Sequence, residues 1–239
     1  MKLKATLLIF AIQLTITGIA SAQTNEQTYW GAWFHTQKFS EHWGMAFDGQ
    51  LRSSHHAGYL RNVLLRPSAS YYFDKNHRAD LGYAYVAANG RTATGAHTFR
   101  PEHRIFEQFI ISQKAGVNTA IQHRFRLEQR FLGQTATQPD VFAQRFRYFA
   151  RAVVPLSKQA PFTKGTFVGL QNEVFANVHN KDKVNKHLFD QNRAYVAFGY
   201  RLQKAIDIEV GYLNQYIKQA ETYTINHVAQ VALYTRFGK

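Results

Sequence analysis

From Gln23 onward the chain alternates apolar and polar residues, in stretches of about 10–14 residues. Trp43, Met45, Phe47, Gly49 and Leu51 share one face of an extended segment, and Gly44, Ala46, Asp48, Gln50 and Arg52 share the other. His77 to Ala88 sets Ala79, Leu81, Tyr83, Tyr85 and Ala87 against Arg78, Asp80 and Gly82. Ile206, Ile208, Val210 and Tyr212 oppose Asp207, Glu209 and Gly211; the last stretch sets Ala229, Val231, Leu233 and Phe237 against Gln230, Tyr234 and Arg236. A period of two is the signature of strands, and no helical interlude interrupts it, so the pattern predicts an all-β fold in one domain.

Gly, Asn, Asp and Lys mark the connections, whose lengths alternate. Short turns are predicted near Ser40-Glu41, Asp74-Lys75-Asn76, Lys114-Ala115-Gly116 and Gln203-Lys204. Longer links are predicted near Ser53–Gly58, Asn89–Thr98, Gly133–Asp140 and His179–Leu188; Pro155–Gly165 is long where the order calls for a short turn. Short turns at one rim and long loops at the other point to a single closed up-and-down antiparallel transmembrane β-barrel. Eleven strands can be counted, yet single-chain bacterial barrels usually have even numbers, with both ends in the periplasm. The expectation is therefore about twelve strands, within a range of 10–12. Either one strand is unlocated, or Tyr29–Phe39 is a periplasmic or plug segment before a ten-stranded barrel.

Asn118 to Phe131 indicates which face looks inward. Arg124, Arg126, Glu128 and Arg130 alternate with Phe125, Leu127 and Phe131. An arginine at the bilayer midplane costs about 2–4 kcal/mol, so the charged face belongs in the lumen. The same reasoning places Glu102, Arg104 and Gln108 (with Phe106), Arg145, Arg147 and Arg151, Gln171 and Glu173, and Gln191, Arg193, Tyr195 and Arg201 inside. With Asp207 and Glu209, these positions hold nine arginines against five acids, a net positive interior. Glu107 breaks the rule by falling with Ile105, Phe109 and Ile111, which suggests a position near the membrane interface or a bulge that resets the alternation. A soluble lipocalin-like barrel would show the same alternation with the apolar face inside. Strands longer than the usual 5–6 residues, 19 Phe, 13 Tyr and 3 Trp, many near strand ends, and alternating turn lengths favour the membrane.

The first 22 residues have the pattern of a cleaved signal peptide. Lys2 and Lys4 precede a mostly apolar run from Thr6 to Ile19, and Ala20-Ser21-Ala22 ends it before Gln23. The barrel domain is thus predicted over 23–239. No second apolar run is long enough for a membrane helix, and a mean hydropathy of −0.36 does not argue against a barrel, in which only alternate residues face lipid. Cysteine is absent, so no disulfide framework supports the fold. The net charge of +14, or +12 without the two leader lysines, favours anionic partners. Outer-membrane lipids, lipopolysaccharide and a small anionic solute fit an exported barrel; nucleic acid does not, for want of a binding motif.

Candidate chemistry is sparse. The sequence has no phosphate-cradling glycine loop, nucleophile elbow or metal-binding helix motif, and no cofactor signature. His55-His56 lacks a partner set fixed by spacing and reads as a solvated loop. His123 and His227 fall on lipid-facing positions, but neither has a suitably placed serine for lipid hydrolysis. The arginine, glutamate and glutamine clusters have two readings: a structural ladder tying the interior together, or a constriction that prefers anions. A lipid-modifying barrel enzyme stands behind both.

One set of motifs resembles a known family. Glu102-His103-Arg104-Ile105-Phe106-Glu107-Gln108, Arg124-Phe125-Arg126-Leu127-Glu128-Gln129-Arg130 and Arg145-Phe146-Arg147-Tyr148 begin it. Asn172-Glu173 with Phe175 and Asn177, Phe189-Asp190-Gln191-Asn192-Arg193 and Gly211-Tyr212-Leu213-Asn214-Gln215 continue it. Together they are similar to the domain of unknown function 2490 family, exported proteins of gram-negative bacteria taken to be outer-membrane β-barrels. The resemblance implies that fold and location, and no established activity. A terminal aromatic commonly marks the last strand of such barrels; here Phe237 is followed by Gly238-Lys239.

If the leader and the apolar face are read correctly, the expressed protein begins at Gln23 and sediments with outer membranes. N-terminal sequencing and membrane fractionation check this; recovery in the soluble periplasm without detergent would reject it.

Overall fold

The computed structural model describes residues 23–116, 118–133, 140–157 and 160–238. The leader predicted over 1–22 and most of the link at 133–140 lie outside the described residues. The strands are β1 (Gln23–Lys38), β2 (Trp43–Ser53), β3 (Leu60–Tyr72), β4 (His77–Arg91), β5 (His97–Ala115) and β6 (Thr119–Leu132). They continue as β7 (Val141–Pro155), β8 (Gly165–His179), β9 (Phe189–Gln203), β10 (Ile206–Lys218) and β11 (Tyr223–Gly238). Each pairs with its sequence neighbour, and β1 closes against β11.

The barrel therefore has eleven strands, not twelve. Strand direction reverses at every antiparallel step, so an odd ring must contain a parallel pair. That pair is β1–β11, matched from Gln23 with Tyr223 to Lys38 with Gly238. Residues 29–39 are mostly wall and not a plug, since β1 also pairs antiparallel with β2. Side chains tie the seam. Thr28 donates to Asn226 at 3.0 Å inside, the Trp33 indole donates to Thr235 at 2.9 Å outside, and Phe34 stacks on Tyr234. The first and last strands start at the same rim, so their far ends share the other.

The turns at 39–42, 73–76 and 204–205 lie at one rim with the turn after β5, and the links at 54–59, 92–96 and 180–188 lie at the other. The long connection after β7 stays at the short-turn rim. Asp74 shows how a short turn is fixed. Its carboxylate accepts the backbone N–H groups of Asn76 and His77 and pairs with the His77 ring, which holds the Asp74 carboxyl below its usual range.

The two faces of the sheet differ in the sense a membrane requires. Leu81, Phe198, Val210 and Val231 are exposed on the outer wall at 63, 59, 60 and 54%, while Glu128 and Glu209 inside are fully buried. This is the reverse of a water-soluble barrel. Aromatic side chains gather toward both rims, with Trp43, Tyr71 and Phe73 in contact at one and Phe131 against Phe142 at the other. Glu107 faces outward with no bulge, because β5 runs in unbroken register against β4 and β6. It accepts a hydrogen bond from the Gln129 amide at 2.9 Å, which supplies part of what hydrocarbon cannot.

Inward aromatic residues need space, and glycine provides it. Gly82 is the register partner of Phe106, and Gly199 that of Phe167. A Cβ at either glycine would overlap the opposing ring, so each phenyl lies over its neighbour strand where a side chain is missing.

The orientation has a direct test. Phe125→Arg should destabilise the inserted barrel by about 2–4 kcal/mol near the midplane. Arg126→Gln, which keeps a polar group inside, should cost less. Urea unfolding in lipid vesicles gives both values, and the reverse order would mean an inverted sheet.

Candidate functional site: the arginine-lined lumen

The register explains why the interior is charged in rows. Asp80, Gln108, Arg126 and Arg147 are successive cross-strand partners on β4 to β7. Gln108 hydrogen-bonds Asp80, and the Arg126 Nε donates to Gln108 at 2.8 Å. Arg126 and Arg147 then face each other directly, as do Arg104 and Arg130. Like charges directly opposite destabilise a sheet, so a carboxylate must settle each confrontation from a diagonal position.

Three glutamates supply those carboxylates. Glu128 accepts from Arg145 at 2.7 Å and from Arg147 at 2.5 Å, with Arg126 at 3.6 Å and Arg104 at 3.7 Å. Glu173 pairs with Arg147 at 2.6 Å and Arg124 at 2.7 Å and reaches Arg193 at 4.0 Å. Glu102 binds Arg104 at 2.8 Å and Arg130 at 2.6 Å. Arg151 donates to Gln171 at 3.1 Å and to Glu209, and Gln191 accepts from Gln215 at 2.6 Å. The structure thus places Glu102, Arg104, Gln108, Arg124, Arg126, Glu128, Arg130, Arg145, Arg147, Arg151, Gln171, Glu173, Gln191 and Arg193 on the inner face.

Aromatic rings fill between the charges. Arg126 lies over Phe106 at 4.2 Å, Arg124 over Phe149 at 4.5 Å, and Arg147 and Arg193 over Phe175 at 4.5 and 4.8 Å. Such contacts hold a guanidinium without neutralising it.

Sequence reasoning missed several members. Asp48, Arg52, Arg78 and Asp80 lie on faces whose alternation is plain, but their strands were not joined to the cluster; Arg66 on β3 is of the same kind. Arg66 pairs with Asp48 at 2.8 Å and Arg78 with Asp80 at 2.9 Å. Asp190 follows a different route. Strict alternation sets it opposite Gln191, but a register shift between Phe175 and Ala176 turns both inward, and Asp190 accepts from Arg145 at 2.8 Å. These residues add three arginines and three acids, so the excess of cations expected from nine against five stands. Among the described residues no group of His, Asp or Glu has the arrangement of a metal site. His123 and His227 point outward and pair with Tyr148 and Tyr212 at 2.9 and 2.7 Å.

Removing a shared carboxylate tests the pairing. Glu173→Gln takes from Arg124 its nearest acid and from Arg147 one of its two, Glu128 being the other, and should cost about 3–5 kcal/mol. Gln171→Leu, at the margin of the cluster, should cost less. Urea midpoints of the refolded proteins compare the two.

None of the curated proteins compared with the chain matches it. A solved structure, the NanC porin in a rhombohedral crystal form, is similar over 84% of this chain and 90% of that one, with a TM-score of 0.51 and 7% identity. At that identity the likeness is one of fold, a porin-like barrel. The sequence profile of the family described as protein of unknown function DUF2490 matches residues 27–226, and this chain belongs to that family.

Proposed function

We propose that this chain is an outer-membrane barrel whose interior is an occluded, cross-tied scaffold and that it is not an enzyme. One observation carries the reading. Every one of the eleven strands sends inward at least one side chain that is buried, among them Thr28, Arg52, Arg66, Asp80, Arg104, Glu128, Arg147, Glu173, Gln191, Glu209 and Gln230. A water-filled channel would leave such side chains wet. A narrow ring also has little lumen to spare once arginines project into it.

A second reading is a narrow path that prefers anions. The cation excess favours it, because ring charge sets the preference of a constriction, and so does the likeness to a porin fold. The location in the outer membrane, beside its lipids and lipopolysaccharide, rests on the predicted leader and the apolar outer wall.

Planar bilayers separate the two. The scaffold reading expects electrical silence from the wild type and a lowered urea midpoint for Arg126→Gln/Arg147→Gln. Steady anion-preferring conductance that the double variant weakens would overturn it.

A further inference from the structure

The carboxylate network leaves one inward guanidinium without an ion pair and a second with only a long one. Arg52 is buried and donates only to the neutral Gln50, through Nε at 3.0 Å and Nη2 at 2.5 Å. It enters no ion pair among the described residues. Arg193 makes no hydrogen bond among them and reaches one carboxylate oxygen, Oε2 of Glu173, at 4.0 Å, while Arg124 and Arg147 both bind the other oxygen, Oε1. Both guanidiniums lie against the same indole: Arg52 stands 3.8 Å and Arg193 5.3 Å from the ring of Trp30. The Trp30 Nε1–H is buried without a partner, and so is the Nε–H of Arg193. Arg66 adds to the positive field at both arginines, and its own Nε–H is unpartnered.

We propose that Arg52, Arg193 and the Trp30 indole N–H form a lumenal site for a small oxyanion, a phosphate or carboxylate group. Two like charges held on one ring repel; Arg52 has lost water without gaining an ion pair, and Arg193 has gained only a long one, to Glu173 at 4.0 Å. An oxyanion between them turns that repulsion into two charge-assisted pairs, and the planar guanidinium fork matches its geometry. The indole contributes a neutral donor and, by stacking, limits where the two guanidiniums can move. The site gives the anion-preferring reading a definite place, yet it requires only binding. Silence in bilayers together with saturable binding would reject conduction and keep the site.

The chain has three tryptophans, and Trp33 and Trp43 lie exposed on the outer wall, so Trp33→Phe/Trp43→Phe leaves Trp30 as sole reporter. The full chain in detergent, its fold checked by heat-modifiable gel mobility, is titrated with inorganic phosphate and separately with acetate, each against chloride at matched ionic strength. A saturable change in Trp30 emission is expected with at least one of them. The half-saturation point should rise about tenfold or more in Arg52→Gln and in Arg193→Gln, and less in Arg193→Lys, which keeps the charge. A response no different from chloride overturns the proposal. So does an unchanged midpoint in both glutamine variants, which would place the anion elsewhere.

Discussion

Glu128 and Glu173 each hold several guanidiniums at once, and that sharing governs how the interior of this barrel is filled. A closed sheet with an apolar outer wall sends every alternate residue inward, where charged side chains sit within a few ångströms of one another. Paired one to one, the arginines would outnumber their partners. Shared, one carboxylate on β6 holds Arg145 and Arg147, and one on β8 holds Arg147 and Arg124. Arg147 thereby bridges the two glutamates and joins three neighbouring strands through side chains as well as through the backbone ladder. Buried networks of this kind stabilise only when nearly all members are satisfied, which makes the carboxylates the sensitive positions and the individual arginines more replaceable.

The seam obeys a different constraint. Ten antiparallel steps bring β11 back beside β1 in the same direction, and parallel pairing is slightly weaker per residue. Length compensates, since the pairing runs along the whole of both strands, and contacts on both faces reinforce it. Inside, Thr28 meets Asn226; outside, Trp33 and His35 both meet the Thr235 hydroxyl. The seam also brings Trp30 to the lumen beside β9 and β10, where it packs with Tyr195 and Leu213. The indole that receives Arg52 and Arg193 is thus part of the closure.

Alternation was enough to separate the two faces, because a period of two is a local property of each strand. Arg124, Arg126, Glu128 and Arg130 were assigned to the lumen by the cost of placing them in lipid, and no other strand had to be known. Strand number was harder. The pattern yields eleven, and the step to twelve rests on the even strand numbers usual in bacterial barrels, which go with antiparallel pairing all the way round. Whether β1 meets β11 in parallel depends on residues some 200 positions apart, which no local period reports. Asp190 illustrates the same limit on a smaller scale. Its inward turn comes from a register shift against β8, and the β9 sequence alone places it on the outer face. Glu107 is the opposite case: the alternation gave its direction correctly, and its Gln129 partner lies on the next strand. Gly82 and Gly199 could be read only as weak points in their strands until register set them opposite Phe106 and Phe167.

Packing and charge make opposite demands on this interior. Packing favours large side chains in contact, and arginine, with its long stem and flat head stacked on phenylalanine, fills space well. Charge opposes the same choice, since each added guanidinium needs a counter-charge and a carboxylate offers less surface to pack. The balance struck here leans toward packing: rings at Phe106, Phe149 and Phe175 carry guanidiniums that the acids only partly neutralise. Cation–π contact is worth about 0.5–2 kcal/mol and cannot replace a lost ion pair. The shortfall has to fall somewhere, and it falls farthest from the acids, at Arg52 and Arg193. Glu173 holds Arg124 and Arg147 through Oε1 and leaves Oε2 4.0 Å from Arg193, and Gln50 is neutral. On the proposal above, a small oxyanion supplies the charge that no fixed side chain provides. On that proposal an interior built in this way need not conduct in order to be selective, because the charge imbalance left by its own packing would distinguish anions from cations.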